Sequence, residues 1–115
     1  MHITRIDHVS LDVRDRPSAI AWYEEVLGLR ASSRHRVPNE PIFLGPAGAR
    51  FGLFQERPPG LRHIALATHA VDQRSLVIRL EQLAIPYRRE RHRASDSIYF
   101  SDPEGTTLEV AVPRS

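Results

Sequence analysis

Hydrophobic and polar residues alternate along residues 3–13, with the two-residue period of a β-strand that buries one face. Valine and leucine side chains fall on the apolar face, whereas His8, Ser10 and Asp12 fall on the other. The pattern therefore predicts a first strand whose second face is polar.

The next segment changes to a helical period. Asp15 is placed to cap a helix over 17–28, Pro17 suits its first turn and Gly28 suits its end. The apolar face of this helix is expected to carry Ile20, Trp22 or Tyr23, Val26 and Leu27. Short strands are predicted near 30–37, 41–45 and 50–56.

The second half of the chain follows a stiff joint at 57–60, with the sequence RPPG, and repeats the same order of elements. A strand at 61–68 and a helix at about 71–84 precede strands near 86–93, 97–101 and 106–112. Leu76, Leu80 and Leu83 have helical spacing and are expected on the inner face of that helix. The order indicates one α+β domain over 1–115, made of two βαβββ modules at about 1–57 and 60–115.

Internal similarity supports the two-module prediction. His8 aligns with His63, and Gly52 aligns with Glu109, when the halves are offset by 55 to 57 residues. Alternation gives His63 and Glu109 mostly small neighbours on their own faces. Three strands therefore each place one potential metal ligand on a face that favours a cavity over a filled core.

A single histidine on a strand is more often a hydrogen-bonded structural residue than a metal ligand. A half-buried glutamate is energetically less favourable than a half-buried histidine, because without a partner it must take up a proton or lose hydration energy. The repeated placement of His8 and His63, with Glu109 on the corresponding face, favours a metal site. Two imidazoles and one carboxylate leave coordination positions open for a substrate.

Composition narrows the chemistry. The chain has no cysteine, which excludes a disulfide framework and a thiolate metal site. It has no lysine either, which excludes a Schiff-base lysine. A transition-metal site must therefore use His, Asp and Glu, and this donor set favours Fe2+, Mn2+, Ni2+ or Zn2+.

Charge and hydropathy limit the partners. Sixteen arginines nearly balance fourteen acidic residues, so the net charge of +2 does not indicate nucleic-acid binding. No apolar run approaches the roughly 20 residues that span a bilayer, and the first residues lack the apolar segment of a secretory signal. We therefore expect a small-molecule substrate, no nucleic-acid or membrane partner, and a cytoplasmic location.

Three stretches together resemble the vicinal oxygen chelate superfamily, which contains glyoxalase I, extradiol dioxygenases, fosfomycin-resistance thiol transferases and bleomycin-binding proteins. They are IDHVSLDVRDRPSAIAWYEEVLGL, LRHIALAT and SIYFSDPEGTTLEV, and they cover both halves of the chain. The resemblance implies paired βαβββ modules that form a curved mixed-sheet cup around one divalent metal ion, with the helices outside. It implies metal ligands at His8, His63 and Glu109.

Glyoxalase I has a fourth ligand, a glutamate, at the position that the internal alignment assigns to Gly52. Glycine cannot ligate, and only a shift of register would bring in Gln55 or Glu56, so glyoxalase I activity is disfavoured. Three ligands resemble the dioxygenases and the fosfomycin enzymes instead. That resemblance implies catalytic roles for Tyr99 and Ser10, although ordinary packing roles for both stay open.

An arginine-rich segment precedes the last two strands. The sequence YRRERHRA at 87–94 puts Arg89, Arg91 and Arg93 on one face of a strand, and Arg88, Glu90 and His92 on the other. One interpretation is a clamp for an anionic substrate, with Arg89, Arg91 and His92 as binding residues, because guanidinium groups bind carboxylate or phosphate bidentately. The other is a solvated strand whose charges discourage edge pairing. In a dioxygenase, His92 is also the nearby candidate for a second-sphere acid–base histidine.

The leading hypothesis is a divalent-metal-dependent enzyme that acts on a small oxygen-rich substrate, either as a dioxygenase or as a transferase or lyase. The alternative is a non-catalytic protein of the same fold that binds an antibiotic, and a structural or regulatory remnant is a third interpretation. Chain length and the resemblance together predict a homodimer, with a metal site within one chain or shared between two.

Overall fold

The computed structural model describes residues 1–32, 40–46, 48–55 and 58–114. Its elements are β1 Ile3–Asp12, α1 Arg16–Leu27, β2 Ile42–Leu44, β3 Phe51–Phe54, β4 Gly60–Thr68, α2 Ala70–Gln82, β5 Arg88–Arg91, β6 Ser95–Ser101 and β7 Thr107–Pro113. The seven strands form one mixed sheet in the order β2-β3-β1-β4-β7-β6-β5. The predicted α+β class is confirmed. Neither helix in the described ranges is long and apolar enough to cross a membrane.

The limits of α1 follow from local sequence. The Asp15 side chain accepts a hydrogen bond from the backbone N–H of Ser18 at 3.2 Å, and a proline occupies the first turn. Gly28 ends the helix in the left-handed conformation, with φ 70°, which costs glycine no steric energy. The strand predicted near 30–37 is a single bridge from Ala31 to Leu44 in the described part, and residues 33–39 lie outside it.

The predicted apolar face of α1 is wrong in part. Ile20 is buried, but Val26 and Leu27 are exposed, and so is Trp22. The helix instead turns Arg16 inward, where its Nη1 donates to two backbone carbonyls at 2.8 and 3.2 Å. The inner stripe therefore passes through positions 16 and 20, which are four residues apart, and continues to Tyr23, which is half-buried against the core as predicted. Residues 25–27 at the end of the helix are exposed.

In α2 the buried side chains are Gln73, Val77 and Leu80. Leu83, which its spacing assigned to the inner face, follows the helix as its C-cap and is exposed. Gln73 is buried because its Nε2 donates to carbonyl oxygens of β6 and β7 at 3.0 Å each. A polar side chain thus joins this helix to the sheet.

Two compact units divide the chain. The N-terminal unit is Asp7–Arg62, and the C-terminal unit is Met1–Ile6 with His63–Ser115. The core of the N-terminal unit contains Ile20, Ile42, Leu44 and Leu53, and that of the C-terminal unit contains Val77, Leu80 and Ile98. The predicted module limits, about 1–57 and 60–115, stay a prediction.

The same strand pairing occurs within each unit. In the N-terminal unit β3 pairs with β1 in parallel and with β2 antiparallel, so that Ser10 and Phe43 both lie opposite Gly52. In the C-terminal unit β7 pairs with β4 in parallel and with β6 antiparallel, so that Ala65 and Tyr99 both lie opposite Glu109. Gly52 and Glu109 thus occupy equivalent positions, as the internal alignment predicts.

Candidate metal centre

The polar faces of β1 and β4 are more buried than their bulky faces. His8, Ser10 and Asp12 are buried, whereas the valine and leucine between them are only half-buried. In β4, His63 and the two alanines that follow it on the same face are buried as well. The two imidazoles therefore lie on the buried faces of their strands.

Glu109 lies at the centre of a buried polar network in the C-terminal unit, with 3% of its surface exposed. Its Oε1 lies 2.9 Å from Nε2 of His63, and the Ser97 hydroxyl donates to its Oε2 at 2.6 Å. Ser95 Oγ lies 3.2 Å from Ser97 Oγ. These contacts orient the carboxylate and replace the water that burial removes.

Tyr99 is the second polar residue of this network. It lies opposite Glu109 on the neighbouring strand and is 8% exposed. Its hydroxyl lies 2.7 Å from Nε2 of His92, and its ring meets the His63 ring edge-on with centroids 5.7 Å apart. Burial, and then the negative charge of Glu109, raises the pKa of the Tyr99 phenol. The phenol therefore stays protonated at neutral pH and can donate a hydrogen bond.

His8, in the N-terminal unit, is oriented through its Nδ1 atom. That nitrogen lies 2.8 Å from Oδ2 of Asp7. A carboxylate at this distance holds a proton on Nδ1 and leaves Nε2 as the basic nitrogen, which is the form of imidazole that binds metals. The ring of Phe43 meets the His8 ring edge-on, with centroids 5.0 Å apart.

His8, His63 and Glu109 each offer one ligand atom, and these atoms all lie within 4.8 Å of one another. Two ligands of a single ion, at metal–ligand distances of about 2.0–2.2 Å, lie about 3–4 Å apart. All three residues are buried, and two imidazole nitrogens with one carboxylate oxygen suit several divalent transition metals. The three residues could therefore hold a metal ion.

The space beside Gly52 is too small for a side chain unless Phe43 shifts. A Cβ atom there would lie 2.9 Å from Cε1 of Phe43 and 3.3 Å from Oγ of Ser10, which is fully buried. Gln55 accepts a hydrogen bond from the first backbone N–H of α1 at 2.6 Å, and Glu56 lies outside the described residues. The absence of glyoxalase I activity stays a prediction, and the described contacts of Gly52 and Gln55 give no support for a fourth ligand.

The pairing of β5 with β6 divides the predicted anion clamp between two faces of the sheet. Arg89 and Arg91 lie on the face opposite to Tyr99. Arg88 lies on the Tyr99 face, with its Cζ 4.3 Å from the ring centroid, and His92 also reaches the Tyr99 hydroxyl. Of the three predicted substrate-binding residues, His92 alone contacts this network in the described part of the chain.

Sequence reasoning gave no role to Asp7, Ser97 or Arg88. Asp7 precedes His8 directly, and a carboxylate next to a candidate ligand is a signal that could have been used. Ser97 shares the Tyr99 face by simple alternation. The sequence could not show that Arg88 rather than Arg89 lies on the Tyr99 face, because this depends on the register between β5 and β6.

Comparisons with known proteins agree with this architecture. A sequence model described as Glyoxalase/Bleomycin resistance protein/Dioxygenase superfamily matches residues 5–110. Methylmalonyl-CoA epimerase from Mycobacterium tuberculosis has a TM-score of 0.79 at 21% identity, over 98% of this chain and 90% of that chain. A variant of the Streptomyces coelicolor methylmalonyl-CoA epimerase, in complex with 2-nitronate-propionyl-CoA, has a TM-score of 0.77 at 17% identity, over 99% and 100% of the two chains.

A catechol 2,3-dioxygenase has a TM-score of 0.83 at 18% identity, over 98% of this chain but 42% of that chain. No curated protein matches the chain. The likenesses to an epimerase and to a dioxygenase show a fold that is shared by enzymes with different reactions.

Proposed function

We propose a function from the premise that this chain belongs to the Glyoxalase/Bleomycin resistance protein/Dioxygenase superfamily. In this proposal the chain is a divalent-metal-dependent enzyme that acts on a small oxygen-rich substrate, and its metal ligands are His8, His63 and Glu109. The approach of their ligand atoms to within 4.8 Å carries the proposal. The similarity in fold to an epimerase and to a dioxygenase supports a catalytic role.

His8, His63 and Glu109 would hold a divalent ion, which would supply Lewis-acid chemistry to an oxygen-rich substrate. The protein's own part is to hold the ligands. The hydroxyl of Ser97 fixes Oε2 of Glu109, which leaves Oε1 on the side of His63. Asp7 holds His8 in the tautomer that places the lone pair on Nε2.

Tyr99 and His92 handle protons in this proposal. The raised pKa of Tyr99 keeps its hydroxyl protonated, so the phenol can donate to negative charge that develops on a substrate oxygen. His92 lies 2.7 Å from that hydroxyl and is half-buried. It can therefore exchange protons with solvent and pass them to the phenol. Ser10 is fully buried on the His8 face and orients the substrate.

Metal analysis of the purified protein tests this function. The wild-type protein should carry about one divalent ion per chain, and His8→Ala, His63→Ala and Glu109→Ala should each lose it. His69→Ala and Glu104→Ala are matched controls, since they remove the same side chains at exposed positions, and both should keep the ion. Circular dichroism checks that each variant is folded.

The opposite result would support the non-catalytic alternative. If the wild-type protein carries no stoichiometric metal, and if His8→Ala and Glu109→Ala bind small molecules as the wild type does, the chain is a binding protein. A homodimer stays a prediction as well. If two chains share the ion, dilution that dissociates the dimer should release it, whereas a monomer that keeps its metal contradicts the shared site.

A further inference from the structure

Arg88, Tyr99 and Glu109 form one row across three neighbouring strands of the C-terminal unit. Arg88 lies opposite Tyr99, and Tyr99 lies opposite Glu109. Residues directly opposite each other project from the same face of a sheet. Strands are about 4.8 Å apart, so the backbone of Arg88 lies about 10 Å from that of Glu109. The guanidinium leans over the Tyr99 ring, with Cζ 4.3 Å from its centroid.

The ion pair of Arg88 with Glu90 is weak enough for a bound anion to replace it. Nη2 of Arg88 lies 3.1 Å from Oε2 of Glu90, but the two side chains are 57% and 44% exposed. An ion pair this exposed contributes little, because water competes for both charges. The aromatic ring attracts the guanidinium through its face. A guanidinium stacked on a ring keeps the N–H groups at its edge available, and these can bind a carboxylate through two parallel hydrogen bonds.

We propose that Arg88 makes the site selective for substrates that carry a carboxylate in addition to the two oxygens that chelate the metal. This inference rests on the metal-dependent enzyme proposed above and names the substrate class of the same site. On the Tyr99 face of the sheet, Arg88 would bind the substrate's carboxylate through two parallel N–H···O bonds. Arg88 is a specificity residue, whereas Tyr99 and His92 handle protons.

Arg91 provides a matched control because it differs from Arg88 chiefly in the face it occupies. Both belong to β5, and Arg91 lies opposite Asp96 on the other face of the sheet. Its side chain is 82% exposed, and its Nε lies 3.8 Å from Oδ1 of Asp96. Arg88→Gln and Arg91→Gln therefore remove the same charge from the same strand, on opposite faces.

The test compares chelating probes that do or do not carry a carboxylate. Isothermal titration calorimetry would measure binding of catechol, 3,4-dihydroxybenzoate and 3,4-dihydroxyphenylacetate to the full-length cobalt(II)-loaded protein. The wild type should bind one of the carboxylated probes about tenfold more tightly than catechol. Arg88→Gln should lose that preference and keep its catechol and cobalt affinities, whereas Arg91→Gln should keep the preference. Arg88→Lys should keep part of it, since charge remains without the fork.

The two proposals fail in different ways. If the protein does not bind cobalt(II) stoichiometrically, the metal-dependent function is wrong and the Arg88 inference falls with it. If cobalt(II) binds but catechol is bound as tightly as both carboxylated probes, or if no probe binds, the Arg88 inference alone is wrong. Loss of the preference in Arg91→Gln, with retention in Arg88→Gln, would also overturn it and would assign the anion to the other face.

Discussion

The N-terminal and C-terminal units place side chains at equivalent positions around a histidine, but they fill two of those positions differently. The equivalent pairs are His8 and His63, Phe43 and Tyr99, and Gly52 and Glu109. An aromatic ring meets the histidine edge-on in both units, at 5.0 Å in one and 5.7 Å in the other. The repeated backbone thus fixes which positions can reach the imidazole. The residue at each position decides whether it supplies packing or polar chemistry.

The two histidines are also oriented differently. Asp7 precedes His8 and lies against its Nδ1. Arg62 precedes His63, but its Nη1 contacts Asp12 at 3.1 Å. His63 instead contacts the carboxylate of Glu109 through Nε2, at 2.9 Å. One imidazole is therefore oriented by its neighbour in sequence, and the other by a residue far along the chain.

Substitution of Asp7 by Asn should produce the largest change. It keeps the shape of the side chain but removes the charge that orients and polarises His8, so the affinity for zinc should fall about 10–100-fold. Arg62→Gln is the equivalent substitution before His63 and should leave the zinc affinity nearly unchanged. Competition with a chelator measures both. An equal loss in the two variants would contradict the difference between the histidines.

Substitution of Tyr99 by Phe makes the C-terminal unit resemble the N-terminal unit. Because folding raises the Tyr99 pKa, the unfolded chain loses this proton first. The contribution of the protonated Tyr99 phenol to the free energy of unfolding is complete below the ordinary tyrosine pKa of about 10, and it declines as the pH rises further. The metal-free wild type should lose about 1 kcal/mol of unfolding free energy from this group between pH 10 and 11. Tyr99→Phe should not show that loss.

Urea unfolding across this pH range measures the effect, and Tyr23→Phe, on α1, is the control that should follow the wild type. Parallel pH profiles for Tyr99→Phe and the wild type would show that the phenol is not protected by the fold.

Substitution of Gly52 by Ala should have the smallest effect. Alanine would gain about 0.5–1 kcal/mol from reduced chain entropy, but its Cβ would lie 2.9 Å from Cε1 of Phe43, and overpacking costs about 1–3 kcal/mol. Because the clash is with the edge of a side chain rather than with backbone, we expect an overpacking cost of about 1.5 kcal/mol and a net loss of about 0.5–1 kcal/mol in the unfolding free energy. The double variant with Phe43→Leu should remove the clash, which a double-mutant cycle detects. A stabilising single substitution would mean that the ring moves without cost.

Much of the fold could be predicted from local sequence. The limits of α1 depend on Asp15 and Gly28, which act within one turn of the helix. Alternation predicted the faces of β1 and β4, and the internal repeat predicted that Gly52 and Glu109 are equivalent. Each of these signals involves residues close in sequence or a direct comparison of the two halves.

The rest depends on contacts between distant residues. The inner face of α1 is set by Arg16, which donates to carbonyl oxygens of Glu40 and Leu53. No helical periodicity contains that information. Likewise, strand pairing decides whether Arg88 or Arg89 lies on the Tyr99 face. Alternation along β5 cannot decide this, because both faces of the strand carry charged side chains. The metal ligands themselves stay a prediction, although their ligand atoms lie close together.

The position of β5 separates recognition from folding. This strand is the outermost of the sheet, and all four of its residues are exposed. Exchanges at such positions usually change stability by less than about 0.5 kcal/mol, whereas Glu109 is enclosed by its hydrogen-bonding partners. Single replacements in β5 could therefore create or remove the preference for charged ligands that we propose for Arg88, while the buried network around Glu109 is inherited unchanged.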